Sequence, residues 1–360
     1  MDTLSVEVLI DIFACLPAST LPAVQLTCKT FAAASTNLLY EHGSAGNEMQ
    51  ALSLINTLET HSAIRPLVRS LQFAGCKAMN KQVLKVQLFS LLDHCPRLRS
   101  LDIHYSGNLT DKESAFFDRL ANLPHITSFA LRVSSGIASI GSLRSAISRW
   151  APHLEMLKLQ GFCQSDQDLN TASRTSIHLP KLKSLEIKDC FVRNHVFLQM
   201  FGQTEALRDL KLGLMEPNAP SEYVVHETFK NRLSKLRTLH VEQAWVGQEG
   251  GEFQLGLDLV TQCTVGRLES LELHGQIFRP ALFKLPQMRQ VKQLDLSWIS
   301  AIDHGDLLRW LAQNNRICKL ETLNTCFVGY EEDTNKADVE ALKRLTGRIN
   351  IAFADSAAYG

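Results

Sequence analysis

The most regular feature of the chain is a six-residue hydrophobic pattern, L-x-x-L-x-L, with aliphatic or near-equivalent residues at the marked positions. It recurs between Val68 and Thr325, and its copies begin at residues 68, 98, 126, 154, 182, 207, 236, 268, 291 and 320. The intervals of 23 to 32 residues are nearly constant. A repeat of this length cannot bury its apolar face alone, so the pattern predicts a solenoid of stacked units.

Each repeat is predicted to contain one strand and one helix. The last two apolar positions alternate with polar residues, so Leu101 and Ile103 should point into the core and Asp102 outward. Between the strands, apolar residues recur at helical spacing, as in Leu143, Ala146, Ile147 and Trp150, and in Leu307, Leu308 and Leu311. We therefore expect about ten strand–helix repeats, with a concave parallel sheet and helices on the convex side.

The first 45 residues lack the strand pattern and favour short helices. Apolar residues from Leu4 to Leu16 recur at helical spacing, Pro17 ends that segment, and a second apolar segment runs from Leu21 to Leu39. The predicted organisation is a helical module (1–45), a helical linker or cap (46–65), a repeat solenoid (66–353) and a tail (354–360). The stretches Gln164–His178 and Glu216–Ser221 interrupt the repeat rhythm and are predicted loops.

The repeats resemble the leucine-rich-repeat family. That family places Asn or Cys three residues after the last aliphatic position, and Cys76 and Cys190 match this rule while the other repeats depart from it. The resemblance covers about 260 residues and implies an α/β fold with an irregular leucine-rich-repeat solenoid.

The N-terminal segment resembles the F-box, a degenerate motif of about 45 residues that is known to precede leucine-rich repeats in this class of protein. Ser5 stands where the family has Pro, and Tyr40 stands where it often has Trp. The positions that match the motif are Leu4, Glu7, Val8, Leu9, Ile12, Phe13, Leu16, Leu21, Cys28, Lys29 and Phe31.

The resemblance implies a noncatalytic substrate-recognition subunit of a cullin-based SCF ubiquitin ligase. Its F-box would dock on the SKP-type adaptor, and its repeats would bind an unknown target protein. The predicted adaptor contacts are Leu4, Val8, Leu9, Ile12, Phe13, Leu16, Leu21, Cys28 and Phe31. Two alternatives remain: a leucine-rich-repeat scaffold or inhibitor whose helices only cap the repeats, and an F-box protein that works in an adaptor complex without degrading a target.

Composition narrows the possible partners and the compartment. The chain has 37 Lys+Arg and 37 Asp+Glu, which argues against binding nucleic acid or an anionic membrane through bulk charge. It contains no apolar run long enough to span a bilayer. The nine cysteines form no CxxC pair, so we expect reduced thiols in the cytoplasm or nucleus. The resemblance to a substrate receptor further implies a monomer within the complex.

Sequence motifs for catalysis are absent. The chain contains no GxGxxG, GxxxxGK[ST], HExxH or GxSxG motif. Its twelve histidines and nine cysteines show no zinc-ligand spacing, so neither a cofactor nor a metal is predicted, and His104 and His274 are interpreted as ordinary solvated residues. An enzyme is the least favoured function.

The outward strand positions are predicted to bind the target. Four basic residues fall on consecutive repeats with Glu186 as the one acid expected nearby, and their mutual repulsion would favour an acidic or phosphorylated target segment. Ordinary mixed charge on a solvated face explains the same residues. The predicted target contacts are Arg132, Lys158, Lys188, Lys211, Glu242, Glu272 and Asp295.

Overall fold

The protein is described by a computed structural model and divides into two compact units, Met1–Gly161 and Phe162–Gly360. The described residues are 4–74, 88, 91–105, 114–133, 138–163, 177–190, 204–214, 233–243, 259–261, 263–265, 267–275, 281–299, 304–312, 320–326, 344 and 350–354. Most of the predicted loop Gln164–His178, the whole of Glu216–Ser221 and most of the predicted tail lie outside these ranges.

The first unit begins with four helices that precede most of its strands. They are α1 (Val6–Ala14), α2 (Leu21–Gln25), α3 (Lys29–Glu41) and α4 (Glu48–Thr60), with 3-10 turns at Ala18–Thr20 and Ser62–Leu67. Two more helices, α5 (Ser114–Ala121) and α6 (Ile140–Trp150), follow strands later in the unit. The helices at residues 6–41 confirm that the N-terminal segment is mainly helical.

Five strands of the first unit pair in chain order, and every pair is parallel. They are β1 (His42–Ala45), β2 (Ser70–Phe73), β3 (Ser100–Tyr105), β4 (Ser128–Val133) and β5 (Met156–Gln160). A two-residue strand, Ala138–Ser139, lies outside this series. Strand β1 was not predicted, because the first 45 residues were expected to be helical throughout.

Seven strands of the second unit also pair in chain order and in parallel. They are β6 (Ser184–Cys190), β7 (Asp209–Leu214), β8 (Thr238–Gln243), β9 (Ser270–Gly275), β10 (Gln293–Ile299), β11 (Thr322–Cys326) and β12 (Asn350–Ala354). The unit also contains α7 (Ala281–Lys284), α8 (His304–Ala312), 3-10 turns at Leu233–Lys235 and Pro286–Gln290, and a two-residue strand at Phe162–Cys163.

The burial of alternate residues confirms the predicted strand register. On β3, Leu101, Ile103 and Tyr105 are buried, whereas the residues between them are half-buried. All ten predicted strands are present as β2–β11, and β12 adds a further strand that crosses the predicted boundary at residue 353. The α/β class and the parallel sheet are therefore confirmed, and the strand-by-strand pairing fits a leucine-rich-repeat-like solenoid.

The predicted amphipathic helices pack on the strands through their apolar faces. On α6, Leu143, Ala146, Ile147 and Trp150 are all completely buried. The Trp150 ring lies 4.8 Å from that of Phe129, and its indole N–H donates a 2.9 Å hydrogen bond to the carbonyl oxygen of Leu123. None of the helices in the described ranges combines the length and the apolar character that a bilayer crossing requires.

Candidate functional site

The N-terminal helices enclose a small apolar core of their own. Leu9, Phe13, Leu21 and Ala34 are buried there, and the Phe13 and Phe31 rings meet edge to face at 5.2 Å between centroids. Leu9, Phe13 and Leu21 were predicted adaptor contacts, but the structure places them inside this core because they share the face of α1 and α2 that meets α3. They hold the helices together instead of facing a partner.

The side chains of Ser5 and Cys28 cap the N-termini of α1 and α3. The Ser5 hydroxyl accepts a 3.4 Å hydrogen bond from the Val8 backbone N–H, and the Cys28 sulfur accepts one of 3.5 Å from the N–H of Phe31. Hydrogen bonds from the backbone and from Ser5 also lower the pKa of Glu7 in the first turn of α1. Serine is a favoured residue at this position, so Ser5 preserves the start of α1 where the F-box family has Pro.

Four exposed aliphatic side chains, here called the apolar stripe, lie on α1 or next to its ends. Leu4, Val8, Ile12 and Leu16 are 56%, 43%, 45% and 37% exposed. Val8 and Ile12 are four residues apart and share one side of α1, whereas Leu4 and Leu16 lie just beyond its caps Ser5 and Cys15. The four members of the stripe were all predicted adaptor contacts, whereas Cys28 is exposed and Phe31 half-buried elsewhere in the module.

The module is joined directly to the first strand. Helix α3 ends at Glu41, and β1 begins at the next residue. The Glu41 carboxylate lies 3.1 Å from the Arg69 guanidinium, immediately before β2. The Arg65 guanidinium donates to the carbonyl oxygens of Leu58 and Glu59 at 2.7 and 2.6 Å, which satisfies the end of α4. The helices therefore also cover the first strand of the unit.

On the outward face of the first unit, Asp102 lies between two donors from neighbouring strands. Its Oδ2 accepts a 2.9 Å hydrogen bond from Arg132 and a 3.5 Å one from the Gln72 amide. The sequence prediction treated Arg132 as a member of a self-repelling basic group with Glu186 as its one nearby acid. That prediction is wrong, because parallel register puts Asp102 one strand away and diagonal to Arg132.

On the outward face of the second unit, parallel register aligns side chains into two rows. The first row is Glu186, Lys211, His240, Glu272 and Asp295, on β6 to β10. The second row contains Gly213, Glu242 and His274, on β7 to β9. In the first row Lys211 therefore lies between Glu186 and His240, and Lys188 lies 3.9 Å from Glu186. The expected repulsion between the basic residues is absent here too.

Gly213 leaves room between Lys188 and Glu242. A Cβ at Gly213 would lie 3.4 Å from the Lys188 Cα and 3.6 Å from a Glu242 carboxylate oxygen. The positive charge of Lys188 helps to lower the pKa of Glu242, after the larger effect of His240. Because Gly213 on β7 has no side chain, Lys188 on β6 and Glu242 on β8 can interact electrostatically across it.

The most concentrated group of ionisable residues is the histidine–carboxylate cluster, which consists of His240, Glu242, Glu272, His274 and Asp295. Nδ1 of His240 lies 2.6 Å from Glu272 Oε2, and its Nε2 lies 3.6 Å from Glu242 Oε2. Nε2 of His274 lies 3.2 Å from Glu272 Oε1 and 3.7 Å from Asp295 Oδ1. The two imidazole rings meet edge to face at 4.9 Å.

The cluster changes the ionisation of its members. Burial by itself lowers the pKa of His240, but the carboxylates of Glu242 and Glu272 outweigh burial and raise that pKa above its ordinary value. His240 in turn lowers the pKa of Glu272, against the opposing effect of burial. The carboxyl groups of Glu242 and Glu272 are therefore held in the charged form, which can bind a cation or a basic group.

The sequence analysis did not select His240, and it interpreted His274 as an ordinary solvated residue. His240 occupies an outward strand position yet is only 4% exposed, because residues of β9 cover it. Pairing the outward positions of consecutive repeats would have placed His240 beside Glu272 and close to His274. The spacing of more than 30 residues hides such a group from any search for local ligand motifs.

No family model matches this chain, and no curated protein matches it. Among solved structures, the chain is similar to one in the crystal structure of the Rad7 and Elc1 complex in yeast. The two are 13% identical, the TM-score is 0.33, and the match covers 93% of this chain and 92% of the other. At this level of similarity the match says nothing about the function of the chain.

Proposed function

We propose that the chain is a noncatalytic substrate-recognition subunit of a cullin-based SCF ubiquitin ligase. The observation that carries this proposal is the apolar stripe Leu4, Val8, Ile12 and Leu16, which is exposed on and beside α1 while Leu9 and Phe13 of the same helix are buried in a core. A helix with two apolar faces is suited to pack on the module with one and into a partner groove with the other.

The apolar stripe supplies a plausible driving force for adaptor binding. Full burial of an aliphatic side chain contributes about 1.5–3 kcal/mol, so the half-exposed members of the stripe would contribute on the order of 1 kcal/mol each. This is enough to matter in an interface that combines the stripe with surrounding polar contacts. The adaptor is proposed to be of the SKP type, and it would connect the chain to a cullin scaffold.

The outward strand faces are proposed to hold the target protein. Arg132 and Lys188 have carboxylate partners within the chain, so a target must compete with Asp102 and Glu186 for them. The mutual repulsion that pointed to an acidic or phosphorylated target is therefore no longer part of the argument. The proposal keeps the two faces as polar surfaces on which Arg132, Lys158, Lys188, Lys211, Glu242, Glu272 and Asp295 are accessible to a partner.

Co-purification with a recombinant SKP-type adaptor tests the proposal. The variant Val8→Asp/Ile12→Asp places two charges in the stripe, and burying them unpaired is costly, so it should lose adaptor binding. Leu9 is not a suitable position for this test, because a charge in the module core would disrupt the helices themselves. The unfolding curve of each variant should match that of the wild type.

Val6→Asp is the matched control. Val6 is on α1 and is 41% exposed, close to the 43% of Val8, but the helical spacing puts it on a different side of the helix from the stripe. It should therefore retain adaptor binding. The proposal fails if the wild type does not bind the adaptor, or if the stripe variant binds it as well as Val6→Asp does.

A leucine-rich-repeat scaffold or inhibitor with a helical cap is the second candidate. The direct passage from α3 into β1 and the Glu41–Arg69 ion pair favour it, because a solenoid needs a covered end. In that case the stripe variant should behave like the wild type in every binding assay, and no adaptor should co-purify with either protein.

A further inference from the structure

Within the histidine–carboxylate cluster, His240 is buried without an aligned hydrogen-bond partner. Among the residues that the structure describes, neither of its ring nitrogens has a partner with hydrogen-bond geometry. Its Nδ1 nevertheless faces Glu272 Oε2 at 2.6 Å and its Nε2 faces Glu242 Oε2 at 3.6 Å. A buried imidazole that faces two carboxylates but has no well-aligned hydrogen bond is suited to bind a ligand that the protein itself does not supply.

The surroundings of His240 match what a metal ion requires. One ligand atom each from His240, Glu272 and His274 can be chosen so that all three lie within 4.8 Å of one another. Two ligand atoms that lie about 2.0–2.2 Å from the same tetrahedral zinc ion are roughly 3.3 Å apart. The 3.2 Å contact between His274 Nε2 and Glu272 Oε1 has this spacing, and the 2.6 Å contact of His240 would open slightly.

The next residues outward fit the environment of a metal site. Metal-bound histidines usually donate their other ring N–H to a carboxylate, which fixes the tautomer. If Nδ1 of His240 faces the ion, its Nε2 faces the Glu242 carboxylate at 3.6 Å. Asp295 Oδ1, 3.7 Å from Nε2 of His274, lies at the edge of the site, where it or water can fill the fourth position.

The pairing of β9 with β10 is irregular beside the histidine–carboxylate cluster. Glu272 pairs with Asp295, but His274 pairs with Trp298, so the register of β9 and β10 shifts by one residue between the two ligands. An irregularity of this kind changes the direction of nearby side chains and is common beside functional sites. A second register shift lies between Ile187 and Cys190 on β6, and the shift on β9 is the one that falls between two proposed ligands.

We propose that His240, Glu272 and His274 bind a divalent transition-metal ion, with zinc as the favoured ion. Two imidazoles and one carboxylate form a donor set that suits zinc and its neighbours rather than calcium or magnesium, which prefer oxygen alone. The site ties β8 to β9 on the outward face of the second unit and leaves a coordination position open to solvent. The alternative is direct pairing of the histidines with the carboxylates and no metal.

Titration of the metal-free full-length chain with Zn²⁺, followed by calorimetry, tests this site. The wild type should bind one ion, and His274→Ala should weaken binding by about tenfold or more. His240→Asn should do the same, and it provides a second variant in case one of them folds poorly. The matched control is His104→Ala, which removes another half-buried histidine from an outward strand position in the first unit.

Co²⁺ as a probe distinguishes this site from binding to the nine cysteines. It should give visible ligand-field bands without an intense thiolate charge-transfer band, and His274→Ala should reduce them while His104→Ala leaves them unchanged. The proposal is overturned if the wild type binds no Zn²⁺, if both histidine variants keep the wild-type affinity, or if the Co²⁺ spectrum shows thiolate ligation. Any of these results would favour direct histidine–carboxylate pairing.

Discussion

Charged residues on the outward strand positions have partners within their own unit. Arg132 lies 2.9 Å from Asp102, and Lys188 lies 3.9 Å from Glu186. Half-exposed pairs of this kind contribute only about 0.2–1 kcal/mol, so a target that offers its own carboxylate can replace them at small cost. The pairs hold these side chains in defined positions and still leave them available for exchange.

The two faces of a strand should respond very differently to truncation of a side chain. Leu185 on β6 is 1% exposed, so Leu185→Ala should lower the free energy of unfolding by about 2–5 kcal/mol in urea denaturation. Ser184, its neighbour, is only half-buried, so Ser184→Ala should change it by no more than about 0.5 kcal/mol. Equal effects would mean that the strand register is wrong.

Burial should also separate the cysteines by reactivity. Burial raises the pKa of Cys95 to about 11 and that of Cys263 to about 12, whereas Cys15 and Cys28 are exposed. At about pH 8 the two buried thiols are protonated and inaccessible, so iodoacetamide should modify Cys15 and Cys28 before Cys95 and Cys263. Peptide mapping by mass spectrometry measures this order. Modification of Cys95 or Cys263 as fast as Cys28 in the folded protein would contradict it.

Single positions could be predicted from sequence only where the local pattern decides them. Leu101 and Ile103 alternate with polar residues, so their burial followed directly from the strand period. The burial of His240 depends instead on Glu272 and His274, which come from the next repeat. Likewise, the partner of Arg132 is Asp102, 30 residues away, so only the strand register reveals the pair.

At the scale of elements, the strand pattern identified ten strands and missed the two at the ends of the series. In β1, Gly43 and Ala45 occupy the positions that pair with Leu71 and Phe73, so the aliphatic pattern is absent. Space explains the glycine, because a Cβ at Gly43 would lie 2.9 Å from Leu71 Cδ2 and 3.2 Å from Leu54 Cδ2. In β12, Arg348 stands at the first position of the pattern and hides an otherwise matching strand.

A glycine at the end of β5 is expected to be essential for its turn. Gly161 has a φ of +78°, and a Cβ there would lie 1.9 Å from the carbonyl oxygen of Val133. Gly161→Ala should therefore cost about 1–3 kcal/mol of backbone strain or more, and thermal unfolding should show a Tm lower by several degrees.

The control for this glycine is Gly46→Ala in the same unit. A Cβ at Gly46 would meet only the end of the Gln50 side chain, at 3.5 Å. Its Tm should stay within about 2 °C of the wild type, since a substitution that touches nothing else usually changes stability little. If both alanine variants melt at the same temperature as the wild type, the turn at Gly161 does not have the described conformation.

At the scale of the whole molecule, the chain presents two kinds of surface with different chemistry. The apolar stripe on α1 contains no charge, whereas the outward strand faces consist largely of paired acids and bases. Association through apolar side chains depends weakly on salt, while contacts between exposed charges are screened within about 8 Å at physiological ionic strength. The two binding events of the proposed function, adaptor binding and target binding, should therefore be separable in the intact protein.

The immobilised full-length chain should capture two groups of proteins from a lysate. One group should depend on the apolar stripe and the other on the charged strand faces. Val8→Asp/Ile12→Asp should lose the SKP-type adaptor and the cullin but retain other captured proteins, because the strand faces are unchanged. Lys158→Glu/Lys188→Glu should retain the adaptor and lose those other proteins, since it places new carboxylates on faces where Glu186 already lies near Lys188. Raising the salt from about 0.1 to 1 M should mimic the second variant and not the first.

Quantitative mass spectrometry of each eluate measures both groups at once, and a wild-type melting curve is required of each variant. If target capture responds neither to salt nor to the lysine reversals, the strand faces are not the target site, and the segment Gln164–His178 becomes the next one to test.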